Sequence, residues 1–448
     1  MAQAPTMSDA YLSDFYALER EGPKWLRELR AEAMTRFREL GFPTARRGNE
    51  KWKYTNVGPI ADAEFAYEFD AATAVKPSDL RRLVPWDDGW TTAVFVDGRY
   101  SPALSSPAAG DVRVVSLAEA VETHGAQTGG RLPELVRGHL ARHAAFADDG
   151  FVALNTAFLR DGAFVHLPDG VAANAPLHLL FLASRDGAVA YPRTLVVAGA
   201  GSRLSVIESY VGLASGRYFT NAVTEIVLGE GAQVEHHKLL LESEEAFHVA
   251  TGRVYQAGDS SFTSTFCARG AAIARNDVTA LLDAPGGSCT LNGLYMTGGS
   301  QHIDNYLNID HAKPHTTSRL LYRGILAGES RAIFGGTVLV RPGADKTDAH
   351  QEDKNLILSE KAEVVSKPSL EIYADDVICG HGATAGAFAD DAIFYMRSRG
   401  LDLETASAFL VKGFASGVLD RVRIEPLRAY LEKLVARTLR GVRVAVPA

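Results

Sequence analysis

Cys379 and His381 are separated by one glycine in the stretch DDVICGHGATAG, residues 375–386. In an extended chain, residues two apart project from the same face, about 6.6 Å apart along the backbone. A thiolate and an imidazole so placed can converge on one metal ion at about 2.0–2.3 Å. A protonated imidazole or a bound cation beside the cysteine would also enrich its thiolate form. Packing explains the same pair without chemistry, with Cys379 a small buried apolar group and His381 a hydrogen-bonded surface residue. The spacing nominates both as metal-ligand candidates and leaves their role open.

The remaining candidates are weaker. Cys267 and Cys289 complete the set of three cysteines, too few for a four-thiolate cluster in one chain. Any iron–sulfur or zinc site must therefore recruit histidine, carboxylate or another subunit. His236 and His237 are adjacent and must point to opposite faces of a strand, so they do not share a metal. His302, His311, His315 and His350 show no ligand spacing. Asp375, Asp376, Asp390 and Asp391 could serve a β-helix enzyme acting on polysaccharide, but solvated turn acids explain them equally well. RPGADKTD lacks the glycine-lysine geometry of a phosphate loop, and GAGSRL has no βαβ unit around it. No self-contained active site emerges.

Composition narrows the class. The net charge of −8 offers no electrostatic footprint for nucleic acid, and no 18-residue apolar run is present to span a membrane. Sparse, odd cysteines and the absence of a signal-like N-terminus predict a reducing, cytoplasmic location.

The elements that must position these residues fall into blocks: helical over 1–90, mixed over 91–150, β-rich over 151–400, helical again over 401–448. Pro23 and Gly41 bracket a first helix with Trp25, Leu26, Leu29, Ala33, Phe37 and Leu40 on one face. NEKWKYTNV, residues 49–57, has no assignable structure. Short helices follow from Ser116 and Leu132.

From about residue 151, a strand–turn–strand layout repeats. Its turns centre on Gly199, Gly229, Ala257, Ala284, Ala327 and Ser359. The spacing is about 30 residues, apart from one interval of about 43 residues that reads as a polar insertion. The matching inward positions are Leu204, Val234, Phe262, Cys289, Ala332 and Val364. Strand-only repeats of this period predict a solenoid of six to nine coils. Cys289 then belongs to the core, whereas Cys267 has the parity to face outward. Asp402 caps a helix with Leu403, Ala406, Leu410, Phe414 and Leu419 on one face, weakened by Gly413 and Gly417. Pro426 opens a second helix bearing Leu427, Leu431 and Leu434, so this tail is a cap or a docking platform.

Several blocks together resemble the SufB/SufD family of Suf iron–sulfur assembly scaffold proteins. They are KPSLEIYADDV, CGHGAT and FYMRSRG, with KWKYTNV, ALNTA, IFGG and KTDAHQEDKNLILS upstream. HGAT after the cysteine, the few cysteines and PHTTS resemble the SufD branch. The resemblance implies a right-handed parallel β-helix flanked by N- and C-terminal helical regions. It implies a non-catalytic scaffold subunit pairing with SufB through the β-helix ends, with a homodimer as the alternative pairing. A SufC ATPase would bind the C-terminal helices, in the region of Phe409, Leu410 and Phe414. Cys379 and His381 would lie at the SufB interface, where a transient, shared iron–sulfur cluster is built. A purely structural partner without cluster ligands is the second reading.

Overall fold

The computed structural model describes residues 9–45, 48–67, 75–106, 112–122, 132–213 and 215–438. From Arg203 to Gly386, consecutive strands alternate between two parallel sheets, one of 11 strands and one of 10. Each coil contributes one strand to each sheet, so the chain winds a flattened β-solenoid of about 8 turns. Strand residues with inward parity line a lumen filled mainly by apolar side chains.

Leu204, Val234, Phe262 and Cys289 stand in register on successive strands of one sheet. The column continues through Ser318 and Ala349 to Cys379. Ala332 and Val364 also face inward, but they pair with each other in the opposite sheet. This corrects the reading of the long interval. It spans one and a half coils, and QHIDNYLNIDHAKPHTTSR supplies the strand His302–His311, a turn and the start of Thr317–Leu326. That strand alternates polar and apolar residues because its outward face carries Asp304 and Tyr306 beneath the N-terminal segment. Coils approach closely at the turns. A Cβ on Gly229 would lie 2.7 Å from the Ala200 backbone nitrogen, so a side chain there would force the coils apart.

The solenoid begins before residue 151. Thr91–Val96 pairs parallel with Leu177–Ala183, and Arg113–Ser116 pairs antiparallel with Gly162–Leu167. The helix Gly150–Ala157 is N-capped by Asp149, which accepts from the backbone N–H groups of Phe151 and Val152.

The first long helix, Lys24–Leu40, has Pro23 as its N-cap and Gly41, at φ 62°, as its C-cap. It buries Leu26, Ala33, Met34, Phe37 and also Arg30, whose guanidinium donates to the carbonyls of Leu159 and Glu21. Trp25, Leu29 and Leu40 are only half-buried at the rim.

The segment after it is a latch. Lys51 pairs with Asp149 and Asp277, both at 2.8 Å, and Thr55 donates to Asp304. Trp52 packs on Phe151 while the Arg275 guanidinium sits 4.0 Å from its ring centroid. A buried charge network thus fastens NEKWKYTNV to the outer face of one sheet.

The helix Leu403–Leu419 is capped by Asp402, whose carboxylate accepts from the Thr405 N–H at 2.7 Å. Its buried face is Ala406, Ser407, Val411, Ala415, Val418 and Leu419. The expected stripe through Leu403, Leu410 and Phe414 is therefore displaced. Small residues let the helix lie close on the sheet, and the larger ones fall at its edges. A Cβ on Gly417 would meet the Arg323 guanidinium at 2.2 Å, so this glycine leaves room for an arginine from the solenoid. In the next helix, Glu425–Thr438, Leu427, Leu431 and Leu434 are buried as expected.

Candidate functional site at the open end of the solenoid

The last coil differs from those before it. Strand Ile378–Gly386 pairs only with Asp348–Ile357, and Glu363–Ile372 pairs only with Arg331–Val340, leaving two unpaired edges among the described residues. Ile378, Tyr373, Phe394 and Tyr395 are 67, 62, 73 and 59% exposed around this end. An uncovered β edge flanked by exposed apolar side chains is a template for another chain.

Cys379 and His381 both lie on this strand, in register with Ala349 and Gln351 of the coil below. Cys379 is half-buried against the lumen cluster of Val338, Val340 and Ala349. Burial raises its thiol pKa above the ordinary cysteine value, with Asp348 adding to this and a backbone hydrogen bond at Ala349 opposing it. In the isolated subunit the thiolate is therefore disfavoured, contrary to the enrichment that a neighbouring imidazolium would bring. His381 has the same strand parity and is exposed. The pair offers one sulfur and one nitrogen donor at the mouth of the lumen.

Polar groups lie immediately below, in one network. Tyr295 Oη donates to Asn355 Oδ1 at 2.5 Å, and Asn355 Nδ2 to Asp353 Oδ2 at 2.7 Å. Ser366 Oγ donates to Asp353 Oδ2 at 2.6 Å. Burial nevertheless raises the Asp353 carboxyl to about 6, with the hydrogen bonds from Ser366 and Asn355 opposing the shift. Sequence reasoning missed Gln351, Asp353 and Asn355. Strand alternation counted back one coil from Cys379 and His381 would have put all three on the inward face.

The other candidates separate. Cys289 is sealed in the lumen and its thiol is pushed up to about 12 by burial. Cys267 faces outward as its parity predicts, but the C-terminal helices cover it and burial pushes it to about 12 as well. His236 turns inward to Glu208 and Ser264, whereas His237 turns outward to Glu235. His302 bonds Thr55, His311 bonds Thr316 and Ser318, and His350 pairs with Asp348 on the outer face. Asp375, Asp376, Asp390 and Asp391 are exposed, and Asp376 pairs with Lys346. Among the described residues, no three of histidine, cysteine, aspartate and glutamate come together to hold a metal ion.

The C-terminal helices form a second surface. Between Leu403–Leu419 and Glu425–Thr438 runs a largely apolar groove of about 590 Å³, lined by Ala408, Phe409, Lys412, Leu419, Val435 and Ala436. Phe409 is 54% exposed, Leu410 is half-buried, and Phe414 packs against the Arg323 guanidinium on the solenoid side.

A parallel β-solenoid with an uncovered terminal coil, a Cys-x-His pair on its last strand and two docked C-terminal helices is the architecture of a scaffold type of subunit. The family is explicit in the sequence comparisons. Residues 181–414 match the model described as "SUF system FeS cluster assembly, SufBD core domain", and residues 1–179 match "SufBD protein N-terminal region". The chain belongs to the SufB/SufD family. It is 29% identical to the iron-sulfur cluster assembly protein SufD of Escherichia coli, over 98% of this chain and 99% of that protein. An iron-sulfur cluster assembly SufBD family protein of Synechocystis is 30% identical over 87% of this chain and 86% of its own length. SufD of Bacillus subtilis is 24% identical over 97% and 98%.

Proposed function

We propose that this chain is a SufD-type scaffold subunit of an iron–sulfur assembly complex, pairing with a SufB-type chain through its uncovered terminal coil. The observation that carries this reading is the strand Ile378–Gly386, whose outer edge is unpaired among the described residues and which bears Cys379 and His381 toward the lumen mouth. A cluster needs more donors than this chain brings together, so a shared interface is the chemically sufficient arrangement. There the cluster is cargo, with Cys379 as a sulfur donor and His381 as a nitrogen donor or proton handler. Main-chain pairing of strand edges sets register, and side chains of both subunits complete the ligand set. The protein itself is non-catalytic in this reading. A SufC-type ATPase docks on the C-terminal helices around Phe409, Leu410 and Phe414. No helix among the described residues is long and apolar enough to cross a membrane.

The pairing is tested by Tyr373→Asp with Ile378→Asp, two exposed sites whose change leaves the solenoid core intact. Size-exclusion chromatography with light scattering should show a folded chain that no longer forms the SufB-type heterodimer. Wild-type pairing by this double variant would reject the terminal coil as the interface. Pairing of the wild type only with itself would replace the heterodimer by a homodimer.

A further inference from the structure

On the other side of the C-terminal helices, the outer face of one sheet carries a cavity of about 590 Å³. Its floor is built from strands Arg203–Gly212, Gln233–Leu241, Ser261–Arg269 and Ser288–Thr297, and its wall is the loop between the last two helices. Hydroxyls of Ser205, Thr263 and Thr290 face it in one lateral row.

Three arginines surround the cavity: Arg203 from the sheet, and Arg421 and Arg423 from the loop. Several other arginines of the solenoid are matched by carboxylates, as in Arg253 with Asp277, Arg319 with Asp348 and Arg341 with Asp310. Arg203, Arg421 and Arg423 are exposed and form no ion pair within 4.0 Å among the described residues, although Arg421 Nε donates to the Gly417 carbonyl at 3.1 Å and Arg423 acts at longer range on Glu235. Of the two acids lining the cavity, Glu235 is engaged by His237 and by both the charge and the backbone of Arg423, which hold its carboxyl below the ordinary value despite burial. Asp420 is the other acid, so guanidinium groups outnumber carboxylates around the cavity.

The floor also holds a polar atom without a partner. Asn292 lines the cavity, is 2% exposed, and its Oδ1 has no hydrogen bond among the described residues. Buried polar atoms are rarely left unsatisfied, so Asn292 calls for a hydrogen-bonding occupant. Among the described residues, no aromatic side chain on which a nucleobase could stack lines the cavity.

We propose that this cavity binds a phosphorylated polyol. Its phosphate oxygens accept from Arg421 and Arg423, the bidentate chemistry that guanidinium groups favour. Its hydroxyls donate to Asn292 Oδ1 and accept from Thr263 and Thr290. The volume falls in the ordinary range for small-molecule sites. This site is separate from the terminal coil and does not depend on the assembly reading.

Isothermal titration of the purified full-length chain with ribose 5-phosphate, inorganic phosphate and ribose tests it. Ribose 5-phosphate should bind saturably and at least about tenfold more tightly than inorganic phosphate, with no detectable binding of ribose. The double variant Arg421→Gln, Arg423→Gln should weaken ribose 5-phosphate by at least about tenfold. Asn292→Ala should weaken the sugar phosphate while leaving inorganic phosphate unchanged, which separates a bound ligand from a disturbed fold. Absence of saturable binding, equal affinity for the two phosphates, or binding indifferent to both variants would overturn the proposal.

Discussion

Cys289 and Cys379 occupy one inward column of the solenoid, three coils apart, with Ser318 and Ala349 between them. The same column position is a sealed core site in one coil and the rim of an open lumen in the other. Position along the solenoid axis, rather than residue type, separates structural from chemically available sulfur.

Thiol accessibility follows directly. Under native conditions a disulfide reagent should titrate one thiol per chain, slowly at neutral pH because burial raises the Cys379 pKa. All three should react in denaturant. Cys379→Ala should abolish the native reaction, and a second native thiol would contradict the burial of Cys267 and Cys289.

Asp353 makes stability depend on pH. Its folded carboxyl titrates at about 6 and an unfolded one near about 3.9, so the folded chain holds the proton longer. The contribution is fully present below the unfolded value and is lost as pH rises through the folded one. Asp353→Asn retains an oxygen for Ser366 and Asn355 to donate to, and removes the cost of a buried charge. Urea unfolding should show the variant stabilised by about 3 kcal/mol at pH near 8 and little changed near pH 4. An equal effect at both pH values would show that ionisation is not the cause.

The N-terminal latch should be energetically substantial. Trp52→Ala removes a buried ring that packs on Phe151 and Arg275, and should destabilise the protein by about 3–5 kcal/mol. Chemical denaturation measures it, and a loss under about 1 kcal/mol would mean that the latch is loosely held.

The latch also shows where sequence reading stops. The solenoid was legible because turn residues and inward apolar positions recur locally, and Leu204, Val234, Phe262 and Cys289 do stack. Their continuation to Cys379 was obscured because Ser318 is polar and the pattern switches sheets at Ala332. Lys51, Asp277 and Asp304 are far apart in the chain and carry no shared local pattern, so only the folded coil brings them together. The displaced face of Leu403–Leu419 has a similar origin, since Arg323, from a distant strand, decides which side of the helix must be small. The pair Cys379–His381 was legible from spacing, but its place at a lumen mouth required the register.

The C-terminal helices cover the outer face of one sheet. They shield Ile207, Leu239, Cys267 and Leu294 on the outer face of the sheet, so deleting residues 402–448 should expose an apolar strip and cause aggregation. Phe409→Asp is the cleaner test of docking. It should abolish binding of a SufC-type ATPase in a pull-down while changing stability by less than about 0.5 kcal/mol. Undiminished binding would move the docking site away from the groove.

In the proposed complex this chain contributes donors to a shared assembly site at its open end. Anaerobic cluster reconstitution on the purified three-subunit complex tests it most directly, with wild type beside His381→Ala and Cys379→Ala and with spectra, iron content and subunit stoichiometry read on the same samples. An intact complex with a lost or altered cluster signal is expected in both variants. An intact complex with an unchanged signal would make the chain a purely structural partner whose cysteine and histidine simply pack.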